Sequence, residues 1–158
     1  MEPRLDLTKH STEGLNTLYA MEKYLYKCGL EHSLMHLVKM RASQINGCAY
    51  CLDMHSKDAR ALGETEQRLY ALNAWRETPF FNERERAALA WTEALTLVSQ
   101  THVPDIAYEE ARKQFSEKEL VDLTYVVTSI NSWNRLAISL RAVPGSYKPA
   151  AASAAKSS

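Results

Sequence analysis

The segment Cys48-Ala-Tyr-Cys51-Leu-Asp-Met-His55 holds the residues of this chain whose types and spacing could do chemistry. Residues three and four apart on a helix are neighbours, so a helix here lets Cys48 reach Cys51 and Cys51 reach His55. At 100° per residue, Cys48, Cys51, Leu52, His55, Ala59 and Leu62 share a stripe about 100° wide, while Asp53, Ser56, Lys57 and Arg60 lie opposite. The thiols and the imidazole therefore point where leucines point, and a substrate has to enter a pocket between elements. Free backbone N–H groups and the helix dipole favour an anion at a helix start, which lowers a thiol pKa. A thiolate attacks a peroxide oxygen to give a sulfenic acid, and a neighbouring thiol condenses it into a disulfide. His55 adds a proton acceptor to that cycle.

Other chemistries ask for parts that are harder to find. Cys48, Cys51 and His55 could be three zinc ligands, but a fourth would have to come from His32, His36 or His102 across the fold. A thioredoxin-like reading of C-x-x-C needs a βαβ context, and none is visible. No cofactor and no metal are expected. Three cysteines are an odd number, and in a chain without a secretory signal they argue for reduced or reactive thiols rather than a disulfide framework. Cys28 has no partner motif and reads as packing.

The rest of the composition limits the setting. A length of 158 residues suits one domain with one core, and 46% hydrophobic with 24% charged residues is ordinary for a folded globule. Nineteen basic and nineteen acidic side chains cancel, so the field that gathers phosphates is missing and nucleic acid is not an expected partner. MEPRLDLTKH carries charges where a signal peptide needs its apolar core, and no run approaches a membrane span. The expected location is cytoplasmic, with no membrane partner.

The elements that must position the motif read as helices throughout. Prolines at 3, 79, 104, 144 and 149 and glycines at 14, 29, 47, 63 and 145 leave long unbroken tracts. The spacing predicts helices over about Thr12 to Cys28, Glu31 to Asn46, Cys48 to Gly63, Glu64 to Pro79, Asn82 to Ser99, Asp105 to Gln114 and Ser116 to Arg141. Leu34, Leu37, Val38 and Ile45, with Arg41 in phase, mark the second of these, and Arg41 is a candidate partner for Glu93. Asn82 with Glu85 and Ser116 with Glu119 are capping pairs. Trp75, Trp91 and Trp133 fall where helices pack, in the core or at a subunit contact. The fold class is all-α, a bundle of about six to seven helices in one domain over residues 1–143. The segment 144–158, rich in small residues, is expected to be a flexible tail.

With these residues in place, Arg41-Ala-Ser-Gln-Ile-Asn-Gly-Cys-Ala-Tyr-Cys-Leu-Asp-Met-His55 resembles the signature of the AhpD-like alkylhydroperoxidase and carboxymuconolactone decarboxylase family. The Trp75-Arg-Glu-Thr-Pro79 stretch, Glu83 to Ala94 and Asn131-Ser-Trp-Asn-Arg135 extend the resemblance over most of residues 30 to 142. It implies an AhpD-like all-α fold, a homotrimer or homohexamer, and antioxidant reduction of organic hydroperoxides or hydrogen peroxide. It further implies Cys51 as the peroxidatic thiol, His55 as its proton-relay partner and Cys48 as the resolving thiol that meets a dithiol reductant protein or small thiol. The family's relay glutamate, twelve residues before the first cysteine, is replaced by His36, and a histidine found between the cysteines in some members is replaced by Tyr50. His36 is thus a candidate proton carrier without a carboxylate's charge. The helix-end argument favours Cys48 as the lower-pKa thiol, and the contact with His55 favours Cys51. Competing readings are a lactone decarboxylase of the carboxymuconolactone type and a non-catalytic redox-sensing or zinc-binding module.

Overall fold

The computed structural model describes residues 2–149, so the part of the expected tail at 150–158 lies outside the described residues. Among the described residues the chain forms helices and no strand. They are α1 (Leu7–His10), α2 (Thr12–Leu25), α3 (His32–Asn46), α4 (Ala49–Ala61) and α5 (Glu66–Ala71), which runs into a 3-10 segment at Leu72–Glu77. Then come α6 (Glu83–Thr96), α7 (Val98–Thr101), α8 (Asp105–Gln114) and α9 (Glu117–Leu140). The seven predicted helices are all present. The two additional ones, α1 and α7, are single turns too short to carry a periodic pattern.

Local chemistry explains most of the boundaries. Asn82 accepts from the Glu85 N–H while the Glu85 carboxylate accepts from the Asn82 N–H, and Ser116 with Glu119 repeats this capping box at the start of α9. Thr65 caps α5 through the Arg68 N–H. The helix predicted to run from Asn82 to Ser99 breaks at Leu97, and the one predicted to Pro79 tightens after Ala71, with Ala74 off helical geometry.

The centre of the molecule is α3, which packs on α4, α6 and α9. One apolar cluster joins Leu34, Met35 and Val38 of α3 to Ala88 and Trp91 of α6 and to Leu123, Val126 and Val127 of α9. A second joins Leu37 and Met40 to Ala59, Leu72, Trp75 and Leu89. A helix flanked on three sides is buried nearly all round, so the stripe read from sequence is too narrow: Met35, Lys39, Met40, Ala42 and Ser43 are also inside, while Ile45 is only partly buried. Fully burying a leucine or valine is worth roughly 1.5–3 kcal/mol, and Leu37, Val38, Leu89, Leu123, Val126 and Ile130 are sealed in this way.

Two polar features brace this centre. The anticipated Arg41–Glu93 pair forms, with Nε 2.7 Å from Oε1, and the Trp75 indole N–H donates to the same carboxylate. The first residues of the expected tail, 144–149, lie against α4 rather than free of it. The Gly145 N–H donates to Asp53 at 3.0 Å, Lys57 donates to the Tyr147 carbonyl at 3.1 Å, and the Tyr147 hydroxyl donates to Asp58 Oδ1 at 2.7 Å. Among the described residues no helix is long and apolar enough to cross a membrane.

Candidate active site

The α3–α4 junction is built by one glycine. Gly47 sits at φ 71°, ψ 33°, the left-handed region, closes α3 against the Ser43 and Gln44 carbonyls and reverses the chain within one residue. The next residue, Cys48, is extended and forms the N-cap of α4, donating its N–H to the Ser43 carbonyl at 2.9 Å. Cys51 is therefore the third residue of α4 and Cys48 lies one step before it. Both are reduced and sealed from solvent, packed with Ala42 and Ile130 and partly covered by Tyr50, Trp133 and Ala137. Leu62, predicted to extend the same stripe, is half exposed because α4 ends at Ala61.

The two thiols differ in charge preference. Donation from the Cys51 thiol, helped by the Cys51 and Tyr50 backbone N–H groups and the Asn134 amide against the cost of burial, brings the Cys48 thiol down to about 7. Sharing its proton with Cys48, burial and the negative charge on Cys48 all push Cys51 up. Asn134, fully buried on α9, donates to the Ser43 hydroxyl at 3.0 Å and accepts from the Asn46 amide at 2.8 Å. Its amide thus ties α9 to α3 beside the sulfurs.

The imidazoles stand apart from that network. His55 is buried, its Nδ1 has no hydrogen-bond partner, and the charges acting on it come from Lys39 and His36 rather than from either thiol. Burial first, then Lys39 and His36, hold its pKa well below the usual histidine value. The His36 ring lies 5.5 Å away, centroid to centroid, and Asp58 Oδ2 lies 3.9 Å from His55 Nδ1. His36 Nδ1 is also buried without a partner, and burial brings His36 down to about 4 against the opposing pull of Asp58. Both rings are neutral at pH 7.

Beside them Lys39, only 8% exposed, donates to Glu22 at 2.6 Å. Glu22 also accepts from the buried Ser129 hydroxyl at 2.5 Å. Against the burial that would raise it, Lys39 and Ser129 hold the Glu22 carboxylate below its usual range.

Sequence reasoning found Cys48, Cys51, His55 and His36, and the structure buries both thiols and His55 on α4 with the His36 ring beside His55. It missed Asn134, Ser43, Lys39, Glu22, Asp58 and Tyr147. Asn134 did carry a signal, since it continues the buried phase of Leu123, Val127 and Ile130 with a polar side chain. Tyr147 carried none, because its position depends on the chain returning to α4.

Comparison with known proteins gives consistent matches. The sequence pattern of the carboxymuconolactone decarboxylase family matches residues 12–94. The uncharacterized protein YdfG of Bacillus subtilis is 42% identical over 140 residues, covering 89% of this chain and 95% of that protein. A solved structure of ATU0492 from Agrobacterium tumefaciens, of unknown function and provisionally assigned as an AhpD antioxidant defence protein, superposes with TM-score 0.89 at 42% identity, covering 92% of this chain and all of that one. An uncharacterized peroxidase-related protein of Silicibacter sp. TM1040 superposes with TM-score 0.74 at 26% identity, covering 85% and 72% of the two chains.

Proposed function

The chain belongs to the carboxymuconolactone decarboxylase family and has the AhpD-like fold, and from that premise we propose that it is a thiol-dependent peroxidase reducing organic hydroperoxides or hydrogen peroxide. Family and fold support a peroxidase-related or decarboxylase-like function. The observation that supports the peroxidase is the buried thiol pair, with Cys48 at the N-cap of α4 and Cys51 in its first turn.

The cycle follows from that asymmetry. The Cys48 thiolate attacks one peroxide oxygen and the O–O bond breaks. The leaving alkoxide or hydroxide takes the Cys51 proton, so Cys48 becomes a sulfenic acid and Cys51 a thiolate. Cys51 then attacks the Cys48 sulfur, hydroxide departs and is protonated, and a Cys48–Cys51 disulfide remains. An external dithiol returns two electrons and restores the starting pair. Cys51 held the attacking role in the resemblance; the place of Cys48 at the N-cap of α4, where backbone N–H groups favour a thiolate, supports giving it the first attack here. Assembly as a homotrimer or homohexamer belongs to the same reading, checked by light scattering of the eluting protein.

The test is peroxide consumption with a dithiol reductant by wild type, Cys48→Ser and Cys51→Ser. Both variants are expected to lose turnover. Cys51→Ser should still consume one equivalent of peroxide and be trapped as a sulfenic acid on Cys48, whereas Cys48→Ser should not react. The reverse pattern returns the attack to Cys51. Undiminished turnover in both, or activity on a carboxylactone that survives loss of both thiols, overturns the peroxidase.

A further inference from the structure

The side chains of His36, His55 and Asp58 form a group that the thiol cycle does not explain. A ring nitrogen of each histidine and a carboxylate oxygen of Asp58 all lie within 4.8 Å of one another. His55 is 94% inaccessible by its 6% exposure, and its Nδ1 points to Asp58 Oδ2 at 3.9 Å, too far for a hydrogen bond. His36 Nδ1 is likewise buried and unpaired. A buried polar atom without a partner costs about 1–3 kcal/mol, and each of the two rings beside the Asp58 carboxylate carries one. The other carboxylate oxygen, Oδ1, is held by the Tyr147 hydroxyl at 2.7 Å, so Asp58 is already oriented with Oδ2 toward the rings.

We propose that His36, His55 and Asp58 are the ligands of a divalent transition-metal site, with Zn2+ as the fitting ion. Two imidazoles and one carboxylate are a common three-ligand set for zinc, leaving a fourth position for water. Metal bonds of about 2.0–2.2 Å put tetrahedral ligand atoms roughly 3.3 Å apart, so side-chain rotation has to close the present spacing by up to about 1.5 Å. The ion takes one ring nitrogen from each histidine and a carboxylate oxygen of Asp58. Lys39 is the cation that opposes binding, and its 2.6 Å pair with Glu22 offsets its charge. Tyr147 fixes the carboxylate from behind, as outer partners of metal ligands do. The two cysteines are not part of the set: they pack with Ala42 and Ile130 around Asn134, and neither joins the three-residue group.

The proposal goes beyond the peroxidase reading and does not depend on it, since its readouts are binding and absorption rather than turnover. Metal-free full-length protein is titrated with Zn2+ by calorimetry and with Co2+ by visible absorption. Wild type is expected to bind one ion per chain and to show a Co2+ ligand-field spectrum without a thiolate charge-transfer band. The Cys48→Ser/Cys51→Ser double variant should bind equally well. Asp58→Asn, which keeps size and shape, should weaken Zn2+ binding by about tenfold or more, His36→Ala should abolish it, and Tyr147→Phe should weaken it by about tenfold. Far-UV circular dichroism shows whether each variant is folded; if His36→Ala is not, Asp58→Asn decides. Absence of stoichiometric binding, loss of binding in the double cysteine variant, or unchanged affinity in folded Asp58→Asn overturns the site.

Discussion

The thiol end and the imidazole end of the site are both buried, yet they satisfy their polar atoms in opposite ways. Around Cys48 and Cys51, Ser43, Asn46 and Asn134 hydrogen-bond to one another, and backbone N–H groups from the start of α4 complete the set. Around His36 and His55 two ring nitrogens have no partner, and the nearest carboxylate stands 3.9 Å off. The first arrangement is finished within the folded chain and stabilises one charge state. The second leaves a nitrogen of each ring without a partner from the protein. A buried group with its partners supplied tends to be structural or fixed in charge, whereas one left open is where exchange with the outside takes place.

The most severe way to break this contrast is to remove the open end. His55→Leu deletes an unpaired polar group, so thermal stability should hold or rise, while peroxide turnover falls about a hundredfold if the ring carries protons. A large loss of melting temperature would show that His55 is structurally paired after all. Asn134→Ala attacks the closed end and should do the reverse. It strips partners from Ser43 and Asn46 and should cost about 1–3 kcal/mol in denaturant unfolding.

The same variant tests the thiolate. The Cys51 thiol and the helix start bring Cys48 down toward neutrality, so wild-type reactivity toward peroxide should rise with pH through the neutral range and level off above it, as the thiolate forms. Because Asn134 helps lower that pKa, Asn134→Ala should move the midpoint up, read as thiolate absorbance against pH. Gly47→Ala is a smaller probe. A Cβ there would meet nothing within 4 Å, so only the left-handed backbone is strained, at about 1–2 kcal/mol of stability. The smallest effect on stability belongs to Tyr147→Phe, which removes one hydrogen bond to Asp58 and should cost about 0.5–1.5 kcal/mol.

What the sequence determined by itself are the features set by near neighbours. Helix spans, the two capping boxes and the turn at Gly47 depend on residues within four positions of one another, and so does the shared burial of Cys48, Cys51 and His55. The phase of Arg41 even marked it as a partner for Glu93, because a charge on a buried stripe needs an opposite charge nearby. Only the tertiary structure decided what faces the motif from elsewhere in the chain. Helix phase shows that a side chain points inward, but it carries no information about which side chains meet it there. Asn134 reaches the thiols across 83 residues, counted from Cys51, and favours the charged form of each. Glu22 neutralises Lys39 from a different helix, and Tyr147 returns to Asp58 from a segment with no helical pattern. The division of the site into a closed thiol end and an open imidazole end follows from those distant contacts, since the hydrogen bonds that complete one end and leave the other unfilled are made between helices.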